Sequence, residues 1–103
     1  MKTITIHDPE YTVSPSGVRF ARLFAGEKSV VAHVILEPGQ TLPPHNVPGH
    51  ANLFVLEGNP TISIGDETAN FGPGTLIESP ANIDKELSNH SKDIARILVI
   101  REM

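Results

Sequence analysis

The sequence has no cysteine and no tryptophan, and its aromatic residues are limited to four Phe and one Tyr. The absence of cysteine excludes disulfides, thiolate nucleophiles and thiolate metal sites. With so few aromatic side chains, the core must be filled mainly by Val, Ile and Leu, and this β-branched composition favours strands. A chain of 103 residues is short enough to predict one domain, residues 1–103.

Long apolar segments and clusters of positive charge are also missing. Apolar runs such as Leu53 to Leu56 are far shorter than the ~20 residues that span a bilayer. The first residues, Met1 to Ile4, lack the apolar region of a secretory signal. Lys and Arg total 8 against 12 Asp and Glu, a formal charge of −4, and they form no basic run that would bind a phosphate backbone. The sequence therefore predicts no membrane or nucleic-acid partner and a cytoplasmic location.

Glycine and proline are frequent instead, with 8 and 9 residues. They separate short segments in which apolar residues follow a period of two, a pattern typical of β-strands. The predicted strands are Thr3 to Ile6, Val18 to Phe24, Ser29 to Glu37, Leu53 to Glu57, Thr61 to Ile64, Thr75 to Ser79, Ile83 to Ser88 and Ile94 to Arg101. Gly65-Asp66 predicts a two-residue hairpin. Eight or more short strands without a helix predict an all-β sandwich or barrel.

Two segments carry a spaced pattern of Gly, His and Asn. In the first, Gly39 is followed after five residues by His45, and a strand-like run then ends at Gly58. In the second, a strand-like run begins after Gly74 and the segment closes at Asn89. These segments resemble the two motifs of the cupin superfamily. The chain is similar to the small, single-domain, conserved-barrel members of that superfamily.

The resemblance extends from Pro38 to roughly Val99 and implies a double-stranded β-helix, or jelly-roll barrel, with a site in the barrel mouth. In metal-binding cupins, three His and one Glu of the motifs hold the ion. Only His45 carries over, because the other three positions fall on Val47, Ala51 and Lys85. A catalytic divalent metal generally needs about three protein ligands. The cofactor is therefore unknown: a divalent metal could associate, but tight binding is not expected.

Lys85 is the most informative of these replacements, because an ammonium would repel a dication. In Ile83 to Ser88, the apolar Ile83 and Leu87 share the face of Lys85, so Lys85 is predicted to point into the barrel. It could instead extend its ammonium to water or pair with an inward carboxylate such as Glu57. The predicted ligand-binding residues are His45, Val47, His50, Ala51, Leu53, Val55, Ile83 and Lys85.

His50 is a second candidate metal ligand. Strict alternation from Ala51 places it on the opposite face of the strand, whereas Pro48-Gly49 could bulge the strand and turn it inward. A metal site would then use His45 and His50 with a third donor such as Asn52 or Glu57.

Three functions remain open at this point. The first is a barrel that binds a small polar or anionic molecule through His45 and Lys85. The second is a small-molecule isomerase, epimerase or oxygenase, with or without a divalent metal, in which His45 is a general base and Lys85 an acid or electrostatic clamp. The third is a structural or interaction module. A homodimer is expected from the family resemblance and from unpaired edges at Thr3 to Ile6 and Ile94 to Arg101.

Overall fold

The strand-forming segments assemble into two antiparallel sheets in a computed structural model that describes residues 1–102. The strands are β1 (Thr12–Val13), β2 (Arg19–Ala25), β3 (Ser29–Leu36), β4 (Thr41–His45), β5 (Ala51–Glu57), β6 (Thr61–Ile64), β7 (Glu67–Asn70), β8 (Leu76–Ser79), β9 (Lys85–Ser88) and β10 (Ala95–Glu102). None of the described residues forms a helix long and apolar enough to cross a membrane.

The core lies between the inner faces of the two sheets. The larger sheet has the order β1-β2-β3-β10-β5-β8, and the smaller has the order β4-β9-β6-β7. Alternate residues of each strand enter the core, as in β5, where Ala51, Leu53 and Val55 are at most 1% exposed. The buried cluster comprises Val18, Val34, Leu36, Leu53, Val55, Ile62, Leu87, Ala95 and Ile97. The predicted all-β jelly-roll fold is thereby confirmed.

Seven of the eight predicted strands are present, with ends shifted by no more than two residues, and Gly65-Asp66 joins β6 to β7 as a hairpin. The prediction for Thr3 to Ile6 was wrong, because the backbone N–H of Thr5 is bonded to the carboxylate of Asp8 in a local turn. The predicted edge at Ile94 to Arg101 was also wrong, because β10 lies between β3 and β5. The homodimer stays a prediction without support from these two edges.

Strand β4 was not predicted because Pro43 and Pro44 lie within it. Proline lacks the N–H that a central strand must donate, so it is tolerated only at sheet edges and bulges. Strand β4 meets both conditions, because it is an edge strand and its register against β9 shifts between Leu42 and His45. Beyond this irregularity, His45 pairs with Lys85 across the two strands.

Two residues of the motif-like segments, Gly58 and Asn89, have structural roles. Gly58 ends β5 with a φ of +85°, and a Cβ at this position would overlap the carbonyl oxygen of Ile94 and lie 2.8 Å from the Cα of Ala95. Asn89 is fully buried, and its Nδ2 donates to the carbonyl oxygens of Leu36 at 2.9 Å and Asp93 at 2.8 Å. Both therefore fix the start of β10 against its neighbours.

A buried histidine attaches the first residues of the chain to the outer face of the larger sheet. The hydroxyl of Tyr11 donates to the carbonyl oxygen of Ile6 at 2.6 Å, so the Nδ1–H of His33 donates to that hydroxyl, also at 2.6 Å. The Nε2 of His33 is buried with no partner among the described residues. Burial lowers the pKa of His33 to about 4, and the positive charge of Arg96 contributes in the same direction.

We expect Gly58→Ala to destabilise the protein strongly, because an alanine there combines an unfavourable φ with backbone overlap. The φ alone costs about 1–2 kcal/mol, and the overlap should raise the total to at least about 3 kcal/mol. Urea unfolding measures the loss. Gly39→Ala is the matched control, because Gly39 has a φ of +86° and no atom within 4 Å of an added Cβ. Equal losses for the two variants would contradict the role of close packing at Gly58.

We expect His33 to destabilise the fold as pH falls from about 6.5 to about 4, because the unfolded chain binds a proton in this window and the native His33 does not. The contribution of His33 to the free energy of unfolding is complete above pH 6.5. Its loss between pH 6.5 and pH 4 amounts to about 3 kcal/mol. The free-energy difference between wild type and His33→Met, measured by urea unfolding at pH 7.5 and 4.5, should shrink by about 2–3 kcal/mol. Tyr11→Phe keeps the imidazole and should retain the pH dependence. If the free energies of unfolding of wild type and His33→Met change equally with pH, this assignment is wrong.

Candidate ligand-binding site

The candidate site lies at one end of the barrel, where both sheets turn polar side chains toward the interior. In the smaller sheet, His45 and Lys85 are a cross-strand pair. In the larger sheet, Arg101 pairs with Ala51 of β5 and with Val30 of β3. Since Ala51 and Val30 are buried on the inner face, their partner Arg101 points to the same side.

Lys85 is 2% exposed, although its side chain ends in an ammonium. No carboxylate within residues 1–102 forms an ion pair with it. The alternation along β9 places Asp84 and Glu86 on the opposite face, and Glu57 instead pairs with Arg96, with 3.3 Å between Oε2 and Nε. Burial lowers the pKa of Lys85, and the nearby charge of Arg101 lowers it further. No ion pair within residues 1–102 therefore compensates a positive charge on Lys85.

An apolar cavity of about 210 Å³ lies beside His45. It is lined by Val18, Phe20, Ala32, Val34, Leu42, His45 and Val99. His45 is the one polar residue in this lining, and its Nδ1–H donates to the carbonyl oxygen of Pro43 at 3.2 Å. This bond sets the ring orientation and leaves Nε2 available to a bound molecule.

Two polar residues near Ala51, Arg101 and Ser79, were missed in the sequence. Arg101 was treated only as the end of a strand, although Ile97, Val99 and Arg101 follow the same alternation and so share the inner face. Ser79 pairs with Ala51 and is 2% exposed, and its Oγ has no partner within the described chain. Its proximity to Ala51 depends on the pairing of β5 with β8, for which the sequence carried no signal.

The other predicted ligand-binding residues are distributed differently. Leu53 and Val55 are fully buried in the core and do not line the cavity. The carbonyl oxygen of Val47 accepts a bond of 3.0 Å from the backbone N–H of Asn82, so Val47 joins two loops at the rim. Ile83 lines a cleft of about 680 Å³ between the β6–β7 hairpin and β8.

That larger cleft differs from the candidate site in charge. Apolar residues form much of its surface, including Ile62, Ile64 and Ile83, but Asp66, Glu67 and Glu78 also line it and no Lys or Arg does. An anion would be repelled there. The negative charge of this cleft distinguishes it from the candidate site, although one of its lining residues, Ile64, is the cross-strand partner of Lys85 on β6.

The structure does not bring His50 to His45. His50 lines a separate cleft of about 260 Å³ together with Asn52, Glu78, Ser79 and Glu102, whereas His45 lines the apolar cavity. The alternation from Ala51 predicted this outward position, and no inward bulge at Pro48-Gly49 overrides it. Within residues 1–102, no group of three or more His, Asp or Glu side chains is placed to hold a metal ion.

Comparison with known proteins establishes the family. Residues 32–101 match the family model described as "Cupin domain". The chain belongs to the cupin family. An uncharacterised protein of Methanocaldococcus jannaschii is 25% identical to this cupin over 81 residues, which cover 78% of this chain and 70% of that protein.

Solved cupin structures share the whole fold. The polyketide cyclase RemF from Streptomyces resistomycificus superposes with a TM-score of 0.87 at 20% identity, covering 99% of this chain and 79% of RemF. The cupin domain of Cnp3 from Schizosaccharomyces pombe gives a TM-score of 0.88 at 14% identity, covering 98% of this chain and 73% of that one. At these identities the likeness establishes the fold.

The donor chemistry of this cupin does not fit the metal of the family. Of the four motif positions, only His45 offers a donor, while Val47 and Ala51 are apolar and Lys85 is a buried amine. Arg101 adds a second positive charge next to Ala51. Two cationic side chains would raise the energy of a dication in this space.

We expect Lys85→Met to stabilise the ligand-free protein by about 1–3 kcal/mol at pH 7, because it removes a buried charge without removing the buried stem. Between the lowered native pKa of Lys85 and its ordinary value of 10.5, the unfolded chain binds more protons than the native one. Wild-type stability should therefore rise with pH across that window, and the gap to Lys85→Met should narrow. Urea unfolding at pH 7 and pH 10 measures both effects. The control Lys92→Met, at an exposed turn, should stay within about 0.5 kcal/mol of wild type, and a Lys85→Met variant less stable than wild type would contradict the account.

Proposed function

We propose that this cupin binds a small polar or anionic molecule in the mouth of its barrel, with His45 and Lys85 as polar contacts. One observation carries the proposal: Lys85 is buried at a family ligand position with no carboxylate paired to it in residues 1–102. A buried and unpaired charge costs free energy that folding alone does not recover. An anion beside Lys85 would offset that cost.

The attraction between an anion and Lys85 contributes to binding but does not by itself give micromolar affinity. An anion about 4 Å from one ammonium gains roughly 1–4 kcal/mol for effective dielectric constants of 80 to 20. A micromolar dissociation constant requires about 8.2 kcal/mol. Additional cations and apolar contacts must therefore contribute, and both Arg101 and the cavity beside His45 are available for this.

Catalysis at the same site is a second candidate function. A buried amine with a lowered pKa, paired across strands with an imidazole, can exchange protons with a bound molecule. One protein of the same fold is a polyketide cyclase. Recovery of the bound molecule unchanged after prolonged incubation with the protein would favour binding over catalysis.

We expect at least one of four small probes, namely acetate, benzoate, inorganic phosphate and glycerol, to shift the amide resonances of His45 and Lys85 in ¹⁵N-labelled protein. Lys85→Met should weaken the binding of an anionic probe at least tenfold, because the positive charge is lost while the stem volume is kept. Lys92→Met should leave binding unchanged, because Lys92 lies in the turn before β10, at the opposite end of that strand from Arg101. If no probe binds, or if Lys85→Met binds the anions as tightly as wild type, the proposed function is wrong.

A further inference from the structure

We infer that the molecule bound at this site is a monocarboxylate with a small apolar group, its carboxylate lying between Lys85 and Arg101 and its apolar group filling the cavity beside His45. The inference rests on the proposed function and adds the chemical class of the ligand. It follows from two features that adjoin one another, a pair of inward cations and an apolar cavity.

The two cations come from opposite sheets. Lys85 starts β9 in the smaller sheet, and Arg101 lies near the end of β10 in the larger sheet. Lys85 pairs with His45, the last residue of β4, and Arg101 pairs with Ala51, the first residue of β5, so both cations lie beside the loop that joins these strands. The charge of Arg101 also lowers the pKa of Lys85. The planar guanidinium of arginine can hold both oxygens of a carboxylate at once, and an ammonium adds a point charge on the same group. A single carboxylate therefore matches this pair in both charge and shape.

The lining of the cavity includes a neighbour of each cation. Val99 lines the cavity and lies two residues before Arg101 on the same face of β10. His45 lines the cavity as well and is the cross-strand partner of Lys85. A molecule bound by the two cations therefore has a short path to the apolar space.

The charged side chains that we place near the cavity are all positive. None of its lining residues is acidic. Arg22 pairs with the lining residue Ala32 and is exposed, which adds a third arginine or lysine charge near the rim. Ser79 offers an unpartnered buried hydroxyl beside Ala51 on the same inner layer as Arg101. A carboxylate oxygen can accept a hydrogen bond from such a hydroxyl.

The cavity volume limits the apolar group. At about 210 Å³ it is somewhat larger than a designed apolar protein cavity of about 150 Å³ that binds benzene. A phenyl ring or a short branched chain would fill it. Inorganic phosphate would satisfy the cations and leave the cavity empty, whereas a neutral apolar molecule would leave the cations unpaired. An acid with a small apolar group satisfies both.

The test compares three probes by isothermal titration calorimetry on the full chain. Benzoate carries both the charge and the ring, benzamide carries the ring without the charge, and acetate carries the charge without the ring. We expect benzoate to bind at least tenfold more tightly than either of the other two. Arg101→Gln should weaken benzoate binding at least tenfold. Arg96→Gln, in the same strand but bonded to Glu57, should not change it.

Two cavity variants test the placement of the ring. Ala32→Phe should fill the cavity and reduce benzoate affinity to that of acetate, while the affinity for acetate stays unchanged. Val99→Ala enlarges the same cavity, and it should raise the affinity for 4-ethylbenzoate relative to benzoate. The second variant keeps the test valid if the first does not fold.

The possible failures can be told apart. If phosphate or acetate binds as tightly as benzoate and Lys85→Met abolishes that binding, the proposed function stands and the monocarboxylate class is wrong. If benzamide equals benzoate, or if Arg101→Gln has no effect on benzoate, the assignment of the carboxylate to this pair of cations is wrong. If no probe binds at all, the inference and the proposed function both fail.

Discussion

An amine enclosed in an apolar barrel is the constraint on which the chemistry of this molecule depends. The alternation of β9 turns Leu87 into the core, and the same alternation turns Lys85 inward with it. Lys85 cannot leave this position without shifting a strand that is paired on both sides, with β4 and with β6. The burial of this amine is therefore fixed by the fold.

The motif-like segments separate into residues that support the fold and residues that would hold a ligand. Gly58 permits the close approach of β5 and β10, and Asn89 bonds two carbonyl groups around the start of β10. Asn82 adopts a φ of +59°, which asparagine tolerates better than most residues. Such residues support the barrel of this cupin, whereas Val47, Ala51 and Lys85 are the residues that the motif resemblance aligns with metal donors of the family. The architecture and the chemistry of the site are thus specified by different positions.

Predictions from the sequence were correct where they depended on contiguous residues. They were wrong where the structure depended on which strands or side chains pair with a segment. The hairpin at Gly65-Asp66 is local, because a two-residue turn and its flanking strands are contiguous. Strand β4 was missed because Pro43 and Pro44 disfavour a strand unless it lies at an edge, and edge position is a property of the sheet. Thr3 to Ile6 has the composition of a strand, but a bond to Asp8 gives its backbone another partner.

The amino-acid sequence by itself determined the strand composition and the inward direction of Lys85, because a period of two is set by the backbone of each strand. The jelly-roll class followed from the resemblance of the two motif-like segments to cupins. Only the tertiary structure decided that Arg101 points inward beside Ala51 and that His50 lies in a different cleft from His45. It also decided that neighbours of both cations, His45 and Val99, line an apolar cavity. These relations depend on sheet order and register between distant strands. Such pairing is selected by the packing of the whole core and leaves no mark in the alternation of any single segment.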